Sequence, residues 1–387
     1  MWKLIYRMSS NLYILLAFFM LSCMGCSSDV VSNKNDKNDI ISDATLIKTK
    51  TKSFELDSET PPSSNHYQIL NTDTLIYFTL LNSYNNSIYF YDFNTSDFLF
   101  KRTYVKVGPN GVGKIFGYYV HSLDSIFIHN YDASKLFLMN EDCAKLRTYD
   151  LDSEHNYNPS AKVFKNSPGK IFNDILYMTG NITGEYADET AENRPVLIKL
   201  DLTKGELSYN IGYPEEFRKG NYGGGQYRWI NSNFKVQDSL ILISFATGHN
   251  LRVYNVSKDT SYMHKMSSSY IDGIPSIPAR IFSVSKQEIR DHFIVNGSYQ
   301  SVGFVPYGEF YFRKVYLPKK DYDPSNFNGL QSSYILTDKN FKKIGEKLFP
   351  LRSYSDFCIS PIGLMLRKMD VGEDVLMFDI FELKYNE

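Results

Sequence analysis

The stretch "GPNGVGKI", residues 108 to 115, has the outline of a phosphate-binding loop. Gly108, Gly113 and Lys114 stand where G-x-x-x-x-G-K would place backbone amides around a phosphate and a lysine against its charge. That chemistry needs two further parts. A helix must follow, because its N-terminal amides and dipole hold the anion. A Ser or Thr must follow the lysine to hold Mg²⁺. Ile115 occupies that position, and "IFGYYVHSLDSIFIHN" continues as aromatic, strand-like sequence. Pro109 and Asn110 suit a tight turn, and Gly111 and Gly113 permit positive φ. The expectation is a turn joining two strands, with no nucleotide.

Other residue groups point to binding or metal chemistry. "YGGGQYRW" (222–229) sets Tyr222, Tyr227, Arg228 and Trp229 around three glycines. Flat rings beside flexible backbone could stack on a sugar, with Arg228 supplying hydrogen bonds. The competing reading is an inter-blade loop whose Trp packs inward. "KKDYDPSNFNG" (319–329) spaces Asp321, Asp323 and Ser325 like calcium-loop oxygens. Asn326 replaces the required Gly and no bidentate Glu closes the loop, so a solvated turn is expected. "ADETAENRP" (187–195) reads as an exposed acidic loop. The 7 histidines are dispersed without H-x-H or H-E-x-x-H spacing, so neither a metal nor a cofactor is expected. No G-x-S-x-G or catalytic Cys–His grouping is present. Carboxylates for glycoside chemistry would have to converge from separate parts of the chain.

The elements that would position these groups are strands. Across 387 residues there are 30 Tyr and 27 Phe, and such rings suit pleated sheets. The net charge of −1 lacks the basic stripe that a nucleic-acid surface needs. From about residue 45 a unit recurs, opening on a polar pair before an apolar strand. Its copies are "TDTLIYFTLL" (72–81), "LDSIFIHN" (123–130), "NDILYMTG" (173–180) and "QDSLILISF" (237–245), with weaker ones at "RDHFIVNG" (290–297) and "SDFCIS" (355–360). Second strands follow, such as "SIYFYDF" (87–93) and "DVLMFDIFEL" (374–383). No stretch reads as an amphipathic helix of three turns. Six units of three to four antiparallel strands, each about 50–65 residues, describe an all-β six-bladed β-propeller, with a β-sandwich as the competitor. "LIKTKTKSFELD" (46–57) precedes the first unit and is expected to pair with the last, closing the ring.

The N-terminus is a processing segment. Lys3 and Arg7 precede the short apolar run "LYILLAFFML" (12–21), and "SCMGCSSD" follows. A small residue before Cys after such a run is a lipoprotein cleavage pattern. Cys23 is the preferred lipid anchor and Cys26 the alternative, because Leu21 and Met20 before Cys23 suit the peptidase pocket better than Cys23 does before Cys26. The expected organisation is a signal peptide (1–22), a lipid-anchored polar tether (23–45) and one propeller domain (46–387).

"GPNGVG" followed by "YYVHSLDSIFI", together with "SFATGHNLRVYNV" (244–256), resembles the Bacteroidota lipoproteins gathered as domain of unknown function 4221. The resemblance implies a secreted, lipid-anchored, propeller-like domain and brings no catalytic residues with it. The leading expectation is an outer-membrane-anchored binding or scaffold module with a glycan or protein partner. The alternative is a carbohydrate-active hydrolase or lyase working at the central channel.

Overall fold

The computed structural model describes residues 44–62, 64, 66–151, 159–162, 167–182, 195–222, 227, 229–277 and 284–386. The leader, Cys23, Cys26, the acidic stretch up to Arg194, and Arg228 lie outside them.

Six antiparallel sheets follow one another along the chain. Strand β1 (Ala44–Glu55) precedes them. The first sheet is β2 (Tyr67–Asn71), β3 (Ile76–Asn82), β4 (Ser87–Asp92) and β5 (Phe98–Thr103). The second is β6 (Gly117–Ser122), β7 (Ser125–Asn130), β8 (Lys135–Met139) and β9 (Lys145–Asp150). In the third, β10 (Pro159–Lys162) and β11 (Lys170–Phe172) pair with successive parts of β12 (Ile175–Ile182), so its first strand is split; β13 (Pro195–Asp201) and β14 (Leu207–Gly212) complete it. The fourth is β15 (Ile230–Lys235), β16 (Leu240–Phe245), β17 (Asn250–Asn255) and β18 (Thr260–Lys265). The fifth is β19 (Ser298–Val305), β20 (Phe310–Tyr316), β21 (Ser332–Thr337) and β22 (Lys343–Phe349). The sixth is β23 (Tyr354–Ser360), β24 (Gly363–Lys368) and β25 (Val375–Tyr385), with β1 as its fourth strand.

First strands of neighbouring sheets touch: β2 meets β6 and β23, and β19 meets β15 and β23. The sheets therefore stand as blades around an axis, with their first strands innermost. Both faces of each blade are covered by neighbours, and the middle strands are apolar runs where a one-sided sheet would alternate. Thus β3 and β4 are buried along nearly their whole length, whereas outer β5 is mostly exposed. The core lies between blades, as where Phe54 of β1 stacks on Phe78 of β3 with centroids 4.0 Å apart.

Ring closure follows the sequence expectation. β1 runs antiparallel to β25, pairing Phe54 with Leu376 and Glu55 with Val375. Asp379 fixes the register: it accepts from Thr51 Oγ1 at 2.7 Å, Tyr354 Oη at 2.8 Å and Lys48 Nζ at 2.8 Å.

Two details differ from the sequence reading. The Asp-Ser/Thr openings at Asp73, Asp124 and Asp238 lead into the second strand of a blade, because each inner strand comes earlier in the chain. The expected strand opening at 290–297 is instead helix α2 (Lys286–Asn296), which follows the shorter α1 (Glu215–Lys219) among the described residues. Ser285 and Glu288 form a reciprocal capping box and Gly297, at φ 73°, ends the helix. That S-x-x-E signal was present in "SKQEIRDHFIVNG".

Candidate functional site: the axial cavity

Side chains join the inner strands of neighbouring blades. Gln68 of β2 grips Val120 of β6, donating to its carbonyl at 2.6 Å and accepting from its N–H at 2.9 Å. Ser167 donates to the carbonyl of Ile230 at 3.1 Å and accepts from Ser232 N–H at 3.1 Å. Thr179 and Ser232 join the same two blades at 2.9 Å.

Gln68 also lines a cavity of about 210 Å³. Five blades supply its wall. Tyr67 and Gln68 come from β2, Tyr118 and Tyr119 from β6, Lys170 from β11, Asn233 and Phe234 from β15, and Phe357 and Cys358 from β23. No Asp or Glu occurs among the described lining residues. The cavity is below the roughly 300–1,000 Å³ that drug-sized ligands occupy, so its occupant is small.

Lys170 supplies positive charge. Burial lowers its ammonium pKa, and its Nζ lies 5.7 Å from the centroid of Tyr119. Burial, with the Lys170 charge second, also lowers the pKa of nearby His121, against the opposing pull of Asp124. Cys358 is not a ready nucleophile, since burial pushes its thiol up to about 12. The wall thus combines one lysine, the imidazole of His66, amide groups and flat rings.

The residues singled out for sugar stacking sit elsewhere. Tyr222 and Tyr227 are buried, and their rings continue a chain from Tyr213 through Phe217 to Phe293 of α2. Tyr227 Oη also pairs with His292 Nδ1 at 3.0 Å. Trp229 is the exposed member, at 41%.

The glycine-rich stretch joins β5 to β6, with strands on both sides and no helix. Its carbonyls are clamped by side chains: Asn130 Nδ2 on Val112 at 2.8 Å, Lys145 Nζ on Gly111 at 2.6 Å and Asn86 Nδ2 on Gly113 at 2.5 Å. Gly113 has φ 65°, as expected, but the left-handed partner is Gly108 at φ 92° and Gly111 has no positive φ. Gly111 is required for space: a Cβ there would come 2.7 Å from the carbonyl carbon of Val107.

"SFATGH" has a structural role that its sequence does not announce. It wraps fully buried Arg313 of β20. The guanidinium donates to Ser244 Oγ (2.9 Å) and to the carbonyls of Phe245 (2.9 Å), Gly248 (2.9 Å), His249 (3.0 Å) and Met266 (3.3 Å). Asp323, from the calcium-like stretch, accepts from Ser325 N–H at 2.9 Å and caps a short 3₁₀ turn. No group of three or more His, Cys, Asp or Glu suited to a metal occurs among the described residues.

Six blades around a small axial cavity define a six-bladed β-propeller with a channel-mouth site. The chain belongs to the family described as Domain of unknown function (DUF4221), whose sequence model matches residues 43–348. A crystal structure of a DUF4221 member from Bacteroides vulgatus superimposes with a TM-score of 0.76 at 19% identity, covering 89% of this chain and 100% of that one. A second structure, of a protein from Bacteroides fragilis whose name calls it a candidate exported protein, gives 0.55 at 14% identity, covering 88% and 96%. These likenesses establish the fold. No functionally curated protein matches the sequence.

Proposed function

We propose that this protein is a binding module of the cell envelope that takes a small ligand in its axial cavity. The observation that carries this reading is the cavity wall: five blades converge on 210 Å³ with rings, amides and one lysine. Glycoside hydrolysis through two carboxylates needs a facing pair, and the described lining offers none. Exposed Trp229 adds a flat surface for a glycan or protein partner. Soaking crystals with a library of small sugars, acids and amines tests the reading. Occupancy of the cavity by at least one compound class supports it, and a cavity that takes none overturns it.

We further propose that the propeller is held at the outer membrane by lipid on Cys23, or else Cys26. Support comes from the basic start, the short apolar run and the small-residue–Cys junction. Intact-mass analysis of the mature protein from its native host decides between the cysteines. An unlipidated chain overturns the anchor.

A further inference from the structure

We propose that the axial cavity binds a small organic carboxylate carried on a ring, no larger than a sugar acid, through the ammonium of Lys170. The inference rests on the reading of the cavity as the ligand site and names its ligand class.

The other buried cations have polar partners. Arg313 spends its N–H groups on five acceptors. Lys314 donates to the Ser355 carbonyl at 2.7 Å, Lys343 pairs with Glu346 at 2.9 Å, and Lys199 donates to Tyr254 Oη at 2.8 Å. Lys52 reaches the Asn94 carbonyl at 3.0 Å. Lys170 is the exception: among the described residues it has no hydrogen bond or ion pair, only the Tyr119 ring at 5.7 Å. That distance is at the outer limit of a cation–π contact, about 6 Å. A half-buried ammonium without a partner costs stability, and a bound anion would offset that cost.

The rest of the wall narrows the class. The Asn233 carboxamide oxygen accepts from the Phe234 N–H at 2.8 Å, and its NH₂ donates to no acceptor among the described residues, so it is open to a ligand oxygen. One lysine matches one negative charge; a phosphate dianion would be left undercompensated. Tyr118, Phe234 and Phe357 offer apolar faces for a ring. Cation, amide donor and flat walls together fit a monocarboxylate on a six-membered ring.

Isothermal titration calorimetry at low salt with D-glucuronate, D-galacturonate and benzoate, and with D-glucose as the neutral control, tests this. At least one acid should bind saturably and weaken as salt rises. Lys170→Met, which keeps the apolar stem and removes the charge, should weaken that acid by about tenfold or more. Its melting temperature should be unchanged or higher, because an unpaired charge has been removed. Lys170→Arg should retain binding. The proposal is overturned if none of the acids binds, if glucose binds as well as glucuronate, or if Lys170→Met binds as wild type does. Neutral compounds soaking into the cavity would then leave the ligand-site reading standing, whereas a cavity empty in every soak overturns both.

Discussion

The guanidinium carbon of Arg313 lies 3.9 Å from the centroid of the Tyr299 ring, close enough for direct stacking. The two residues belong to neighbouring strands of the fifth blade, β20 and β19, and the cation reaches from there into carbonyls of the fourth. Burial lowers the pKa of the guanidinium to about 9, with Tyr299 opposing the shift, so it stays charged at neutral pH. Tyr299 Oη in turn meets His249 Nδ1 at 2.5 Å. One side chain thus pins the loop Phe245–His249 and the start of the segment leading to α2.

Arg313→Met should therefore destabilise the propeller by on the order of 3 kcal/mol, since it leaves several buried carbonyls without donors. Arg313→Lys should recover only part of this, because three ammonium donors cannot reach five divergent acceptors. Urea denaturation of the two variants measures both effects. Wild-type stability in Arg313→Met would show that water satisfies the cage.

The closure at Asp379 predicts a pH dependence. Its carboxyl is almost fully buried, which raises its pKa, but hydrogen bonds from Lys48, Thr51 and Tyr354 outweigh burial and hold it below its ordinary 3.8. A depressed carboxylate contributes stability above its unfolded pKa, and that contribution is lost as pH falls below about 4. Asp379→Asn should be less stable at neutral pH by about 1–3 kcal/mol and should show a shallower acid limb. Melting curves from pH 7 to pH 3 read both terms. Parallel acid limbs would place the wild-type acid sensitivity elsewhere.

Removing β1 itself should be far more damaging. Deleting 44–57 exposes the edge of β25 and uncovers Phe78 and Phe378, which pack on Phe54. Deleting 27–43 should be nearly neutral. Thermal melts of the two soluble variants compare them directly, and equal stability would mean that the ring does not depend on this strand.

In the loop between the first two blades, Gly111→Val should cost about 2 kcal/mol, as a side chain is forced against the Val107 backbone. Lys114→Ala should stay within about 0.5 kcal/mol, because the lysine is exposed and its one recorded contact among the described residues is the Phe116 ring at 5.3 Å. Nucleotide binding that Lys114→Ala abolished would contradict the turn assignment.

At α2, Ser285→Ala should destabilise by about 1 kcal/mol through loss of the cap on Glu288 N–H. Differential hydrogen exchange should localise the loss to residues 285–297. An unchanged exchange rate there would mean that α2 is held by Phe293 and Ile294 alone.

Blade number and ring closure were legible because they are local or pairwise. Alternating and apolar runs mark strands by themselves, and Phe54 and Leu56 announce a one-sided strand with no sequence neighbour. The Asx turns between third and fourth strands repeat visibly: Asp92 and Asp201 each accept from two following N–H groups. The inner strands were harder to see where pairing is broken, as in the third blade, whose inner strand is split into β10 and β11. Helix α2 was misread because its first turn is polar and its apolar stretch, "HFIVN", reads as a strand when the cap before it is ignored.

What the sequence determined alone was the repeating blade, the polar turns and the unpaired N-terminal strand, since each depends on residues within one hairpin or on two complementary ends. Tertiary structure decided which aromatic rings became core, which glycine needed space where positive φ was expected, and that "SFATGH" would enclose an arginine some sixty residues away. It also decided the site. Gln68, Tyr118, Lys170, Asn233 and Phe357 stand at roughly the blade repeat, but they share no residue type, and only the closing of the ring brings five inner strands to one axis. No local signal marks Lys170, because its meaning lies in having no carboxylate partner among the described residues, and the cavity's other walls come from other blades.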